Sequence, residues 1–450
     1  MFQETLFQCE PGAIPGRGRA SRAAFAAAGA LVLAAVLSAC GGGGDGAGPV
    51  ALDPVVDAPD ESNDRIAITN NQAALDVRVL YPEQPVPVDV SGVAQKSGSV
   101  LARKPSVTLT LASEIFPPTV DGQVVQATSV SQRVSGNAAM VSYNMRGAPR
   151  LGAIDWVTQT NSNRPLLSSG ATFNDADINA VSADAGNVYM AMATDAPDFA
   201  FPAVLERLRV NGNRLTLDGN ERVGLASFAA TSALAVGDTV YATSGDTGGL
   251  FALAENNLSQ IGEFALHDAR WVAVDVEGGR VVVAQGTPGQ ISVFAEGEFP
   301  AGSMNLLNSF PFPGADIPES KSTVEIVGGK AFVAAGPEGV QVVCLDNGEI
   351  IGNVPRPDPA ALGLDPSVVV TNAVTVDKDL MFISNGEAGV YVAKAKKQFQ
   401  NSGCAQQEIT VEGKLRFDDL QSANHVSFKG NYLFVAAGLG GVKVVRVEGN

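Results

Sequence analysis

One unit recurs along this chain at a spacing too regular for an ordinary globular core. A polar residue opens an apolar strand, and a small Gly-containing turn leads to a strand such as NYLFVAAG (Asn431 to Gly438). A Gly-x-x-Gly turn then leads to a strand such as GVKVVRV (Gly441 to Val447). The turn stands at Gly286 to Gly289, Gly336 to Gly339, Gly386 to Gly389 and Gly438 to Gly441, with a looser form at Gly245 to Gly249. Glycine at both ends permits the positive φ that tight hairpins demand. The opening residues are Thr128, Asn179, Thr231, Arg270, Ser322, Asn372 and Asn424, spaced by 51, 52, 39, 52, 50 and 52. Units of about 50 residues built from short β-branched strands and Gly-rich turns predict an all-β fold, a seven-bladed β-propeller. The short third unit leaves six or eight blades open.

The last copy stops early, since only 26 residues follow Asn424, enough for three strands. At the other end, SVTLTLASEIFPP (Ser106 to Pro118) reads as an alternating strand without a blade of its own. The two pieces together make about one period. The N-terminal strand is therefore expected to complete the last blade and close the ring, which removes the open edges of a linear array. A solenoid would need capping units that the sequence does not display.

Residues ahead of the repeats read differently. Arg17, Arg19 and Arg22 precede an apolar stretch, Ala23 to Val36, that ends in LSAC, Leu37 to Cys40. This is the ordered pattern of an export signal, and the stretch is marginal for spanning a bilayer. Its end resembles the lipobox of bacterial lipoproteins. That resemblance implies cleavage before Cys40, a lipid on its thiol and attachment to a membrane through that lipid. It also implies an outer-membrane or cell-surface location, because Gly41 is not the Asp that resembles inner-membrane retention signals. The expected organisation is a signal peptide over 1–39, a Gly-rich tether over 40–64, an extension over 65–104 with no assigned structure, and the propeller over 105–450.

The formal charge of -17 disfavours phosphate backbones and anionic lipid surfaces, so a nucleic-acid partner is not expected. With Cys9 in the signal and Cys40 lipidated, Cys344 and Cys404 remain. In an exported protein they can pair, or stay as two thiols with one in a strand.

Catalytic signatures are sparse: there is no HExxH, CxxC, GxSxG or GxxxxGK[ST], and the chain has only two His, His267 and His425. Asp-Thr-Gly within Gly245 to Gly249 has no second copy, and reads as a hairpin turn. The opening residues are the better candidates, because a propeller gathers them around its central channel. Asp177, Asn179, Asp268, Arg270, Asn372 and Asn424 form a candidate ring for a ligand or ion. Asp175 and Asp177 are the candidate metal ligands, with oxygen donors suited to Ca²⁺. The plainer use of the same residues is to satisfy backbone groups beside a wet channel. Trp156 and Trp271 are read as core, and Arg270 beside Asp268 as an ion pair.

The segments GNAAMVSYNMRGAPRLGAIDWV (Gly136 to Val157), AFVAAGPEGVQVV and YLFVAAGLGGVKVV resemble LVIVD-repeat propellers, a family of bacterial exported proteins. The resemblance covers roughly residues 105 to 450 and implies the fold without a single activity. The Asp that usually closes the third strand is kept as Asp155 but is Cys344, Lys394 and Arg446 in other units. The expected function is an envelope-anchored binding or scaffolding module, monomeric, for a protein or small-molecule partner. A calcium-dependent hydrolase of lactonase-like plan and an adhesin or assembly factor are the alternatives.

Overall fold

The structure, a computed structural model, describes residues 59–90, 107–132, 138–145, 147–159, 164–184, 186–315, 320–417 and 422–449. Cys40 and the expected signal peptide and tether up to residue 58 lie outside these residues. Seven antiparallel sheets carry the repeats, ordered from the innermost strand outward in chain sequence in all but the last, whose outer strand comes from the N-terminal side. The innermost strands are Gln126–Gln132, Ala176–Asp184, Ala230–Val236, Ala269–Asp275, Val324–Val327, Ala373–Asp377 and His425–Lys429, for blades 1 to 7. The 39-residue unit is a complete blade with short turns, ending on the outer strand Gln260–Ala265. The fold is a seven-bladed β-propeller.

Ring closure follows the expectation. Val107–Ile115 pairs antiparallel with Val442–Gly449 and supplies the fourth strand of blade 7. The apolar core lies between the sheets. Phe332, Val340 and Val342 of blade 5, for example, pack against Val374, Met381 and Ile383 of blade 6, all nearly inaccessible. Strands buried on both faces explain why the sequence shows near-continuous apolar runs there.

The Gly-x-x-Gly turns need their glycines in blades 5 to 7. Gly339 and Gly441 have φ of 75° and 70°, and a Cβ on either would lie 2.0 or 2.1 Å from the carbonyl of Val354 or Ile115. Blade 4 departs from this, because Gly286 and Gly289 are not among the positive-φ glycines and the turn holds a cis Thr287–Pro288 bond.

Residues 65–90 of the extension, which the sequence left unassigned, form a strap over the closure together with 61–64 at the end of the expected tether. A hairpin of Glu61–Ser62 and Ile66–Thr69 adds to the outer strand of blade 1, Pro165–Phe173. A short helix, Gln72–Asp76, is capped by Asn71. Val79–Leu80 and Gln84–Pro85 then pair with the outer strand of blade 7, and Val88–Asp89 with that of blade 6, Ile409–Leu415. Running from blade 1 to 7 to 6, the strap crosses the seam in the direction opposite to the ring.

The remaining outer edges are managed by other means, as an exposed ladder would otherwise recruit foreign strands. A loop of blade 4 covers blade 3, where Met304 N–H donates to Glu263 O. A loop of blade 6 covers blade 5, where Gln407 N–H donates to Ile351 O. On blade 2, Glu61 accepts from Leu217 N–H and the strand pair carries a bulge. On blade 4, Phe312 N–H donates inward to Gly289 O, so positions 311 and 313 face outward, and both are proline with no N–H to offer.

Candidate functional site: the central channel

The opening residues line one mouth of the channel, and most of them act as latches between blades. Thr128 Oγ1 donates to Ile178 O (3.0 Å), Asn179 Nδ2 to Ala230 O (2.9 Å) and Thr231 Oγ1 to Ala269 O (2.8 Å). Arg270 Nη1 donates to Ser320 O (3.2 Å), and Asn424 Nδ2 closes the circle on Ala127 O (2.9 Å). In each case the acceptor lies one or two residues before the next blade's opening position. In these five places the polar side chain satisfies a backbone carbonyl of the next blade. Asn372 does not latch in this way: it is buried, and its Oδ1 has no hydrogen-bond partner.

The acidic candidates are held apart. Asp177, on the inner strand of blade 2, accepts from Met145 N–H at 3.1 Å and faces Arg150 at 3.7 Å. Burial pushes its carboxyl up to about 6, against the opposing pull of that N–H and of Arg150. Asp175 accepts from both terminal nitrogens of Arg222, at 2.7 and 3.2 Å, and pairs with Arg65 of the strap. Arg222 also meets the fully buried Glu206. Asp268 pairs with Arg270 at 2.6 Å. Burial disfavours its charge, but the Arg270 hydrogen bonds and charge hold it below the ordinary carboxylate range. Each of the three carboxylates thus faces an arginine. Among the described residues, one group of three potential metal-ligating side chains comes together, Cys344, Asp346 and Cys404, and its two cysteines are joined in a disulfide between blade 5 and a loop of blade 6. The Asp-Thr-Gly carboxylate, Asp246, sits in a turn at φ 57°.

Sequence reasoning missed what crosses the channel. Trp271 of blade 4 and His425 of blade 7 stand on opposite sides of the ring, and their rings meet with centroids 5.2 Å apart. Lys321, just ahead of blade 5, reaches Asn179 O of blade 2 with its Nζ at 3.1 Å. His425 Nδ1 accepts from Val130 N–H, and burial, aided by the Lys321 charge, drives its pKa down to about 3. Trp271 is therefore a channel residue, while Trp156 is core as read. The only sequence signal was the placement of a His and a Trp one residue after an opening position.

Beyond this stack, toward the other mouth, lies a cavity of about 390 Å³. Its lining includes Trp271, His425, Thr323, Glu325, Asp377 and Lys429. Glu325 of blade 5 accepts from Val376 N–H at 3.1 Å and from the Thr375 hydroxyl, which itself accepts from Phe428 N–H at 3.0 Å. This chain ties blades 5, 6 and 7 together. Burial, with a smaller push from Asp377, raises the Glu325 carboxyl to about 8.

These two groups should give stability opposing dependences on pH. The folded pKa of His425 is depressed, so its contribution is present above about 6.5, the ordinary value, and is lost as pH falls toward 3. Glu325 has the opposite sign. The stability from its neutral carboxyl is full below its ordinary 4.5 and is lost as pH rises through 8. Asp177 adds to the second limb up to about 6. The two windows overlap between about 4.5 and 6.5, where their slopes oppose, so melting temperature measured from pH 3.5 to 8.5 should fall most clearly above pH 6.5, where Glu325 titrates alone. Glu325→Gln should flatten the limb above pH 6.5, and His425→Asn the acid limb; limbs unchanged by either substitution would refute the assignment.

Architecture and channel together define the class, a closed seven-bladed propeller with a plugged, polar channel. The sequence matches no protein-family model and no curated protein. Among solved structures the fold resembles a computationally designed protein, Ika8, at 11% identity and a TM-score of 0.45, covering 81% of this chain and 96% of that one. It also resembles BamB from Moraxella catarrhalis at 11% identity and a TM-score of 0.40, covering 76% of this chain and 94% of that one. Likenesses of this size carry no argument about activity. No helix among the described residues is long and apolar enough to cross a membrane.

Proposed function

We propose that this chain is an exported, lipid-anchored propeller of the LVIVD-repeat type that acts as a binding or scaffolding module in the bacterial envelope, its lipid on Cys40 favouring the outer membrane or cell surface. The observation that carries this reading is the strap. The residues that follow the Gly-rich segment are sewn as strands onto blades 1, 7 and 6. Whatever holds the N-terminus therefore holds the whole ring as one body. That coupling suits a module that is held at its N-terminus through a tether and offers the rest of its surface to a partner.

A test of the anchor is metabolic labelling with an alkyne fatty acid followed by envelope fractionation. The wild-type chain should carry the label and sediment with membranes, and Cys40→Ser should lose both. A labelled, membrane-bound Cys40→Ser variant would overturn the lipid assignment. The binding role is tested by in-cell crosslinking of the anchored chain, where a defined, saturable crosslinked partner is expected and its absence counts against scaffolding.

A calcium-dependent hydrolase has less support, because Asp175, Asp177 and Asp268 each face an arginine that competes with a cation. Millimolar Ca²⁺ should leave the melting temperature where chelator leaves it. A clear upward shift, abolished by Asp177→Ala, would restore that reading.

A further inference from the structure

The channel cavity beyond the Trp271–His425 stack has the makings of a ligand site that the latches do not explain. Two carboxylates from adjacent blades, Glu325 and Asp377, line a space of about 390 Å³ together with the indole of Trp271. A second observation is independent of them. Thr323, only 3% exposed, lines the same cavity, and its hydroxyl has no hydrogen-bond partner. A buried hydroxyl left unsatisfied is costly unless something supplies a partner. Blades do not need it for closure, since the neighbouring Glu325 already bridges to Val376 and Thr375.

We propose that this cavity binds a small molecule carrying a protonated primary amine. This deepens the binding-module reading and rests on it. The ammonium would donate to the Asp377 and Glu325 carboxylates and to the Thr323 hydroxyl, with its carbon skeleton over Trp271, an arrangement that favours cations on electrostatic grounds. Lys429 lines the same cavity. His425 stays neutral behind the stack and adds no repulsion.

The titratable groups that share the cavity lining with Glu325 are Asp377, Lys429 and the neutral His425. Because burial raises the Glu325 carboxyl to about 8, an arriving ammonium should displace a proton from it at neutral pH.

The complete mature chain in detergent can be titrated with ethanolamine, and with ethylene glycol as its neutral isostere, by calorimetry and by Trp271 fluorescence. Ethanolamine should bind saturably and ethylene glycol should not. Asp377→Asn should weaken ethanolamine at least tenfold, with the melting temperature reporting that the fold is intact. At pH 7, heats in buffers of different ionisation enthalpy should reveal release of a proton, which Glu325→Gln should abolish. No saturable binding at tens of millimolar, equal binding of the neutral isostere, or binding indifferent to both substitutions overturns the proposal. A negative titration alongside positive fatty-acid labelling and crosslinking would remove the cavity ligand alone and leave the anchored module standing.

Discussion

Replacing Asp155 with Ala is expected to destabilise the protein by about 3–5 kcal/mol, the cost of leaving buried charge and hydroxyl groups without their partner. Asp155 is fully buried on the third strand of blade 1. It accepts from Nη1 and Nη2 of Arg78 at 3.0 and 2.6 Å and from the hydroxyl of Tyr143 at 2.6 Å. Arg78 belongs to the strap and also donates to Phe116 O at the end of the closing strand. One carboxylate thus fastens the strap, blade 1 and the seam of blade 7. Chemical denaturation should show the loss, and hydrogen exchange should show faster opening over residues 60–90 and 107–116 than elsewhere. Asp155→Asn keeps an acceptor for Tyr143 and should cost less. A loss below about 1 kcal/mol for the Ala variant would mean that the strap holds by its backbone ladders alone.

Removing the disulfide should have an effect of similar size. Cys344 and Cys404 are 60 residues apart in sequence, and closing a loop of that length restricts the unfolded chain by about 4 kcal/mol in the chain-entropy account. The bond also pins the blade 6 loop that covers the outer edge of blade 5, where Gln407 N–H reaches Ile351 O and the Gln407 side chain packs on Gly352. A Cys344→Ala, Cys404→Ala variant should melt well below the parent and expose Ile350–Val354 to exchange and to aggregation through that edge. If its melting temperature matched that of the oxidised parent, the link would be a bystander to stability.

Cys344, Lys394 and Arg446 occupy the same place in their repeats, each opposite the first residue of the second strand (Lys330, Leu380 and Tyr432), whereas Asp155, opposite Val141, does not share it. Lys394 faces Asp379 of its own blade at 3.4 Å, and Arg446 pairs with Glu83 of the strap at 3.0 Å. Repetition in the sequence predicts that the site exists in every blade. It does not predict the occupant's work, because that depends on what lies across the blade's outer edge, and the strap, a disulfide loop and a neighbouring turn differ there.

The blade count, the strand that closes the ring and the recurrence of polar opening residues could all be read from the chain. Each rests on local periodicity: glycine turns at fixed offsets, apolar runs of strand length, and a polar residue where each strand begins. The course of residues 65–90 could not be read, because strands of two to four residues carry too little pattern to choose an edge. That the polar ring satisfies backbone groups was one of the two readings the sequence offered, but that the carbonyl belongs to the next blade could not be read. Thr128 meets Ile178, and Asn424 meets Ala127, only after the ring has curved and shut. The stack of Trp271 on His425 joins residues 154 positions apart on opposite blades, and Glu325 shares a cavity with Asp377 across a blade boundary. Periodicity along one dimension determined the blades. The contacts across the axis, and with them the candidate site, were decided by closure in three dimensions, which brings together residues that no local spacing relates.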